Sequence, residues 1–352
     1  MDADAIYRKM KDRLADIVPD FELRIKAEVA EKILRLKRER NAVILAHNYM
    51  EPALYCSVPD FSGDSLELSR RAAETGADVI VFCGVRFMAE TAKILAPDKT
   101  VLLPAEVAGC SLAASITAQD VRDLRRRFPG IPVVSYVNTY AEVKAESDIC
   151  CTSSNAAAVV ESLDGDTVIF VPDEYLARNV AAQTGKRIVF ERTAETPENT
   201  MIGWLGRCEV HEKFSVQDIE NARRQFPDVA VLAHPECSPE VVAAADFSGS
   251  TTAMIRFVEQ TEAARYLMLT ECAMGDNVAA ANPHKEMLRL CSVRCPHMNE
   301  ITLEQTLRAL EQDRQRIEVP EPIRRPASRA IERMLAVGSP ADPVPRLRAK
   351  RS

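Results

Sequence analysis

Three short stretches decide how this 352-residue chain folds: Leu45-Ala-His-Asn-Tyr49, Val134-Ser-Tyr-Val-Asn138 and Leu232-Ala-His-Pro-Glu236. Each closes an apolar run with a polar residue, namely His47, Tyr136 or His234. Counting from these origins, a serine turn follows at offset 18 (Ser65, in GDS), 17 (Ser153, in TSS) and 16 (Ser250, in GST). A strand-like run begins at 32, 31 and 31 (Val79, Thr167, Arg265), and another at 53, 52 and 53 (Thr100, Ile188, Met287). A cysteine closes each unit at 63, 72 and 61: Cys110, Cys208 and Cys295. Landmarks recurring in one order three times mark an internal repeat.

Outward from these origins, runs rich in Val, Ile and Leu alternate with charged helical patterns, as parallel strands buried on both faces do. The expected strands are Ala42–Ala46, Val79–Cys83, Val101–Leu103, Val133–Val137, Thr167–Val171, Ile188–Phe190, Ala230–Ala233, Tyr266–Thr270 and Met287–Leu290. Helices are expected over Ser65–Glu74, Ala118–Phe128 and Val216–Phe226. After Glu300 the repeat stops. There the pattern gives a helix over Leu303–Glu311, an extended Ile317–Pro322, a helix over Ala327–Ala336 and a Pro-rich basic tail. The predicted class is α/β. Three homologous αβα domains with parallel sheets would surround a pseudo-threefold axis, their strand ends facing one central active-site cavity. The expected boundaries are an N-terminal helical segment 1–38, repeats at 39–130, 131–227 and 228–300, and C-terminal helices with a basic tail at 301–352.

Composition narrows the function. Forty-five Lys and Arg against 52 Asp and Glu give a net charge of -7, which argues against a nucleic-acid partner. No apolar run approaches the roughly 20 residues of a membrane helix, and the charged start MDADAIYRKMKDRLADIV lacks a signal-peptide core. The expectation is a cytoplasmic protein without a membrane partner. In that compartment the ten cysteines are buried hydrophobes, reactive thiols or metal ligands rather than disulfides. GxGxxG and GxxxxGK[ST] are both missing, which disfavours nucleotide-driven chemistry.

Cys110, Cys208 and Cys295 recur at one structural point and have no CxxC knuckle, a pattern that favours an iron–sulfur cluster over structural zinc. Cys56, Cys83, Cys150 and Cys272 read as packed core or loop residues. Cys291-x-x-x-Cys295 opens a CxxxCxxC radical motif, but Met298 stands in the third position. His47 with Tyr49, and His234 with Glu236, place a proton donor beside an acceptor at two strand ends. Tyr136 and Asn138 alternate on one strand, and His211 follows Cys208 by three. Taken singly, each serine turn reads equally well as an ordinary helix cap or as an anion-binding helix start.

Together the segments LAHNY, FCGVRFMAETAKIL, VLLPAEVAGCSLA, YVNTYAEVKAESDICCTSSNA, GWLGRCEVHEKF, AHPEC, GSTTAMI and RCPHMNEITLE resemble the quinolinate synthase family over about residues 40–340. The resemblance implies a transferase of de novo NAD biosynthesis that condenses iminoaspartate with dihydroxyacetone phosphate, releasing phosphate and two waters. It implies a [4Fe–4S] cluster on Cys110, Cys208 and Cys295, with an open iron acting as a Lewis acid. It further implies substrate-binding residues at His47, Ser65, Tyr136, Asn138, Ser153, His234, Glu236, Ser250 and Thr251. Proton transfer would fall to Tyr49, Glu236, Tyr136 and His211, and L-aspartate oxidase would supply the imine. Thr252 and Ala253 depart from the Ser and Gly frequent in that turn, and Cys291 clouds the choice of third ligand. Two other classes stay open: a non-enzymatic electron carrier or redox sensor, and a cluster-dependent hydro-lyase of another family.

Overall fold

The computed structural model describes residues 1–190, 198–290 and 292–338. Cys291 and the basic tail at 346–351 lie outside them. The chain divides into two compact units, 1–109 with 271–318, and 110–270 with 319–352.

Among the described residues, three sheets of four, five and four strands form the framework. The first contains β1 (Ala42–His47), β2 (Phe61–Gly63), β3 (Val79–Cys83) and β4 (Thr100–Leu102). The second contains β5 (Val133–Tyr136), β6 (Ile149–Cys151), β7 (Val168–Val171), β8 (Arg187–Val189) and β9 (Thr200–Gly203). In the third are β10 (Ala230–Ala233), β11 (Phe247–Ser248), β12 (Arg265–Leu269) and β13 (Glu286–Arg289). Central strands such as β3, β5, β7 and β10 are buried at every residue, because helices cover both faces; this explains their unbroken apolar runs.

The second strand of each sheet pairs in parallel with the first: Leu45 with Phe61, Val134 with Ile149, Leu232 with Phe247. The next strand pairs on the other side: Ala42 with Val79, Val133 with Ile169, Ala230 with Tyr266. Partners are thus 16, 15 and 15 positions apart on one side and 37, 36 and 36 on the other. The short strands β2, β6 and β11, together with β9, were not expected from the sequence. Two to four residues of mixed character carry no period; their hydrogen-bonded partner defines them.

One device fixes the equivalence of the three sheets. The aspartate preceding each short strand accepts a central-strand N–H at 2.8 Å: Asp60 from Ile44, Asp148 from Val133, Asp246 from Val231. Its own N–H returns to the carbonyl of that residue at 2.9, 3.0 and 2.8 Å. A basic residue in the last turn of the preceding helix binds each carboxylate: Lys37 at 2.8 Å, Arg125 at 2.8 Å and Arg223 at 3.1 Å. His47, Tyr136 and His234 each lie three residues beyond the clasped residue. The origins chosen by sequence therefore share one backbone register.

The helices entering the second and third clasps also match. Ala118–Arg127 and Val216–Gln225 each start with a capping box, Thr117/Asp120 and Ser215/Asp218, and end at a Phe before Pro. Each buries one fully enclosed aliphatic residue, Val121 or Ile219, worth roughly 1.5–3 kcal/mol apiece. Val121 joins Ile116, Phe128, Val133, Val143, Ile169, Val171 and Ile202 in a single core cluster.

The C-terminal segment departs from expectation. Leu303–Gln312 is helical, but the last helix runs Glu321–Val337 and absorbs the end of the supposed extended segment. Pro322 falls in its first turn, where no intrahelical N–H is required, so the proline begins this helix instead of preventing it.

Candidate active site

Two positions beyond the origins lie Tyr49, Asn138 and Glu236. In the first repeat the Tyr49 N–H donates to His47 Nδ1 at 3.3 Å, and the two rings meet edge to face with centroids 4.5 Å apart. In the third, the Glu236 N–H donates to His234 Nδ1, also at 3.3 Å. One turn thus presents a phenol in one repeat and a carboxylate in the other. In the second repeat Asn138 Nδ2 donates to Glu236 Oε1 at 3.1 Å, bringing two strand ends of the second unit together.

Glu236 is the hub. Its Oε2 lies 2.6 Å from His211 Nδ1 and 3.5 Å from His234 Nδ1, and the Tyr136 side chain hydrogen-bonds to the carboxylate. The His211 and His234 rings stack 4.5 Å apart at 17°. His211 Nε2 meets Thr270 Oγ1 at 3.1 Å, which orients the ring. Glu236 is 3% exposed and His211 2%. Such burial favours a neutral acid, but the His211 charge and hydrogen bond, the His234 charge and the Tyr136 hydrogen bond outweigh it and hold Glu236 down at about 2. The arrangement is an ionised carboxylate beside two imidazoles. Asn179 secures the turn by donating to the carbonyls of Pro235 (2.8 Å) and Cys237 (3.0 Å), on either side of Glu236.

Cys208 is half-buried, with Sγ 3.3 Å from His211 Nδ1. Burial pushes its thiol well above the usual range, and the Glu236 charge and the Cys110 thiol add to the effect. Cys110 precedes the short helix Ser111–Ala114, and its sulfur accepts the Ala113 N–H at 3.5 Å. Two sulfur donors that sense each other within the second unit suit thiolate ligation of a soft metal centre. In the first unit the Cys295 backbone N–H faces the Glu271 carboxylate and helps to lower its pKa. The other cysteines behave as core: burial pushes Cys56 up to about 11 and Cys83 and Cys150 up to about 12. Cys272, just after the strand that ends at Leu269, starts the helix Cys272–Ala281 and is buried, as its packed reading requires.

The serine turns are less uniform than the sequence suggested. Ser65 is the first residue of the helix Ser65–Glu74, whose cap is Asp64, accepting from Leu66 and Glu67 at 3.1 Å. Ser153 lies in the turn ahead of Ala156–Glu161. Ser250 caps Thr251–Gln260 through Ala253 N at 3.3 Å. Counted from the clasp aspartates, Ser65 and Ser153 correspond to Thr251; Ser250 corresponds to Asp64. The sequence alignment was one residue out in the third repeat because turn chemistry, not register, guided it.

Two residues escaped the sequence reading. Asp173 and Glu271 occupy equivalent positions, capping the helices Glu174–Thr184 and Cys272–Ala281; the first repeat has Val85 there. Each carboxyl has one oxygen bound at 2.6 Å, to Leu176 N or Ala273 N, and one buried oxygen with no hydrogen-bond partner among the described residues. Burial raises both, Asp173 well above the carboxylate range with help from the Glu236 charge, and Glu271 to about 7. An acidic residue just after a buried strand, in PDEY and TECA, was the available signal.

With this geometry established, comparison with known proteins gives a consistent result. The quinolinate synthetase A protein family matches residues 31–336. Quinolinate synthase 2 of Mesorhizobium japonicum is 56% identical over 326 residues, 93% of this chain and 96% of the relative. The quinolinate synthases of Agrobacterium fabrum (53%; 93% of this chain, 90% of the relative) and Xylella fastidiosa strain 9a5c (52%; 95% and 94%) are similarly close.

Proposed function

The chain belongs to the quinolinate synthetase A family, and from that premise we propose that it condenses iminoaspartate with dihydroxyacetone phosphate to quinolinate, phosphate and two waters. The observation carrying this reading is the buried Glu236 carboxylate, bound by Asn138 and His211 and flanked by Tyr136 and His234. Loss of phosphate and of each water requires a proton on a departing oxygen and removal of another from carbon or nitrogen. The His211–Glu236 pair supplies the acid, and Tyr136 and Tyr49 are phenols suited to the remaining transfers. His47, Ser65, Asn138, Ser153, His234, Ser250 and Thr251 provide hydrogen bonds for a dicarboxylate and a phosphate. Burial of the Glu236 cluster limits water, which would hydrolyse the imine.

Cys110, Cys208 and Cys295 would hold a [4Fe–4S] cluster, whose open iron supplies a Lewis acid toward substrate oxygen or nitrogen. We place the three αβα repeats, at 39–130, 131–227 and 228–300, around a pseudo-threefold axis with their strand ends toward one cavity; the segments 1–38 and 301–352 flank them. The shared clasp and strand register support that arrangement. No described helix is long and apolar enough to cross a membrane. A reducing cytoplasm, with L-aspartate oxidase as imine source, suits reduced thiols and a labile substrate.

The test is anaerobic reconstitution followed by assay for quinolinate from the two substrates. Turnover that needs both substrates supports the proposal; a brown protein without turnover would point to an electron carrier or sensor.

A further inference from the structure

We propose that the cluster-free chain binds one zinc-like divalent cation between Cys208 Sγ, His211 Nδ1 and Glu236 Oε2. This inference depends on the proposed function in one respect only: the cation and the cluster would compete for Cys208.

The three donor atoms all lie within 4.8 Å of one another. His211 Nδ1 is 3.3 Å from Cys208 Sγ and 2.6 Å from Glu236 Oε2. Thiolate, imidazole and carboxylate are the donors zinc takes at about 2.0–2.3 Å, which places ligand atoms roughly 3.3–3.8 Å apart in a tetrahedron. The sulfur–nitrogen edge already has that length. The nitrogen–oxygen edge must widen by roughly 0.7 Å as the cation replaces the proton between Nδ1 and Oε2. Binding also displaces the Cys208 proton, so a thiolate and a carboxylate balance the two positive charges.

Neighbouring groups hold the ligands ready. Thr270 Oγ1 at His211 Nε2 (3.1 Å) fixes the ring with Nδ1 toward the other two donors. Asn138 binds Glu236 Oε1 (3.1 Å) and leaves Oε2 for the cation. With His211 and Glu236 2% and 3% exposed, little solvent competes. The cluster would use Cys208 with Cys110 and Cys295 and neither His211 nor Glu236. The two occupants therefore share one ligand and exclude each other, and a chain that has lost its cluster and taken up zinc cannot rebuild it until the zinc leaves.

The experiment uses the full-length chain stripped of iron under argon and titrated with Co2+, then with Zn2+ as displacer. The expected result is one cation per chain, with a sulfur-to-cobalt charge-transfer band of one thiolate's intensity. Cys110→Ala and Cys295→Ala should bind like the parent, whereas Cys208→Ala and Glu236→Gln should weaken binding by about 10²-fold or more, and Thr270→Val by about 10-fold. Chains preloaded with Zn2+ should fail to take up iron and sulfide. A three-thiolate band, loss of binding in Cys110→Ala or Cys295→Ala, or no binding by the parent would overturn the proposal, and the parent spectrum decides this even if a variant fails to fold. Failure of the proposed function would look different: Co2+ binding intact, with no quinolinate from the reconstituted chain.

Discussion

The first and third repeats share a backbone and differ in charge. Both have a clasp aspartate, a strand-end histidine three residues beyond the clasped strand residue, and an N–H returning to that histidine's Nδ1 at 3.3 Å. The first then presents Tyr49 and caps its next helix at Val85; the third presents Glu236 and caps at Glu271. Side chains without a carboxyl, Tyr49 and Val85, thus occupy these positions in the first repeat, and carboxyl groups, Glu236 and Glu271, occupy them in the third. The clasp recurs in each repeat, and the residues beyond it carry different chemistry. One repeated fold can therefore carry unlike side chains at matching positions.

The largest expected effect tests whether the repeats contribute equally to the cluster. Cys110→Ala, Cys208→Ala and Cys295→Ala should each abolish iron retention after anaerobic reconstitution, measured as iron per chain. Retention in one of them would remove its repeat from the ligand set.

Next comes the difference in chemistry. Glu236→Gln keeps shape but loses the carboxylate, and Tyr49→Phe keeps the ring but loses the hydroxyl. Each should cut quinolinate turnover by about 10²-fold or more with iron content unchanged. Normal turnover in Tyr49→Phe alone would confine proton transfer to the second and third repeats.

The clasps predict a smaller effect, on stability. Asp60→Ala, Asp148→Ala and Asp246→Ala each strip a central-strand N–H of its side-chain acceptor, at about 1–3 kcal/mol. Their partly exposed ion pairs should add little. Urea unfolding should give similar losses for all three if the device is equivalent, and one silent variant would break the equivalence.

The smallest effect concerns pH. The folded pKa of Asp173 is raised, so its contribution to stability is complete below the unfolded value near 4 and is lost as pH rises through the folded value. Asp173→Asn mimics the protonated acid. Relative to that variant, the parent should lose stability in urea as pH climbs from about 4 toward neutrality; parallel curves would show that Asp173 is ionised in the native protein.

Much of the fold was legible because fully buried parallel strands leave continuous apolar runs: Val79–Cys83 and Ala230–Ala233 were placed to the residue. Phe61–Gly63, Ile149–Cys151 and Phe247–Ser248 were not, since a short strand is defined by its partner's hydrogen bonds. The clasp aspartates were hidden for a similar reason. Asp60, Asp148 and Asp246 are partly exposed acids in loops, with nothing local to mark the N–H each one binds.

At the site, the residue types could be read but not their partners. Cys208, His211, His234 and Glu236 were singled out from spacing, whereas Asp173 and Glu271 were not singled out at all. By itself the sequence determined the α/β class, the threefold recurrence and the chemical kinds of the site residues, because burial and repetition leave periodic marks along a chain. Only the tertiary structure decided that Glu236 lies 2.6 Å from His211 and stays ionised while nearly solvent-free. Charge state in a buried site depends on the donors that converge from other segments, and convergence in space has no period in sequence.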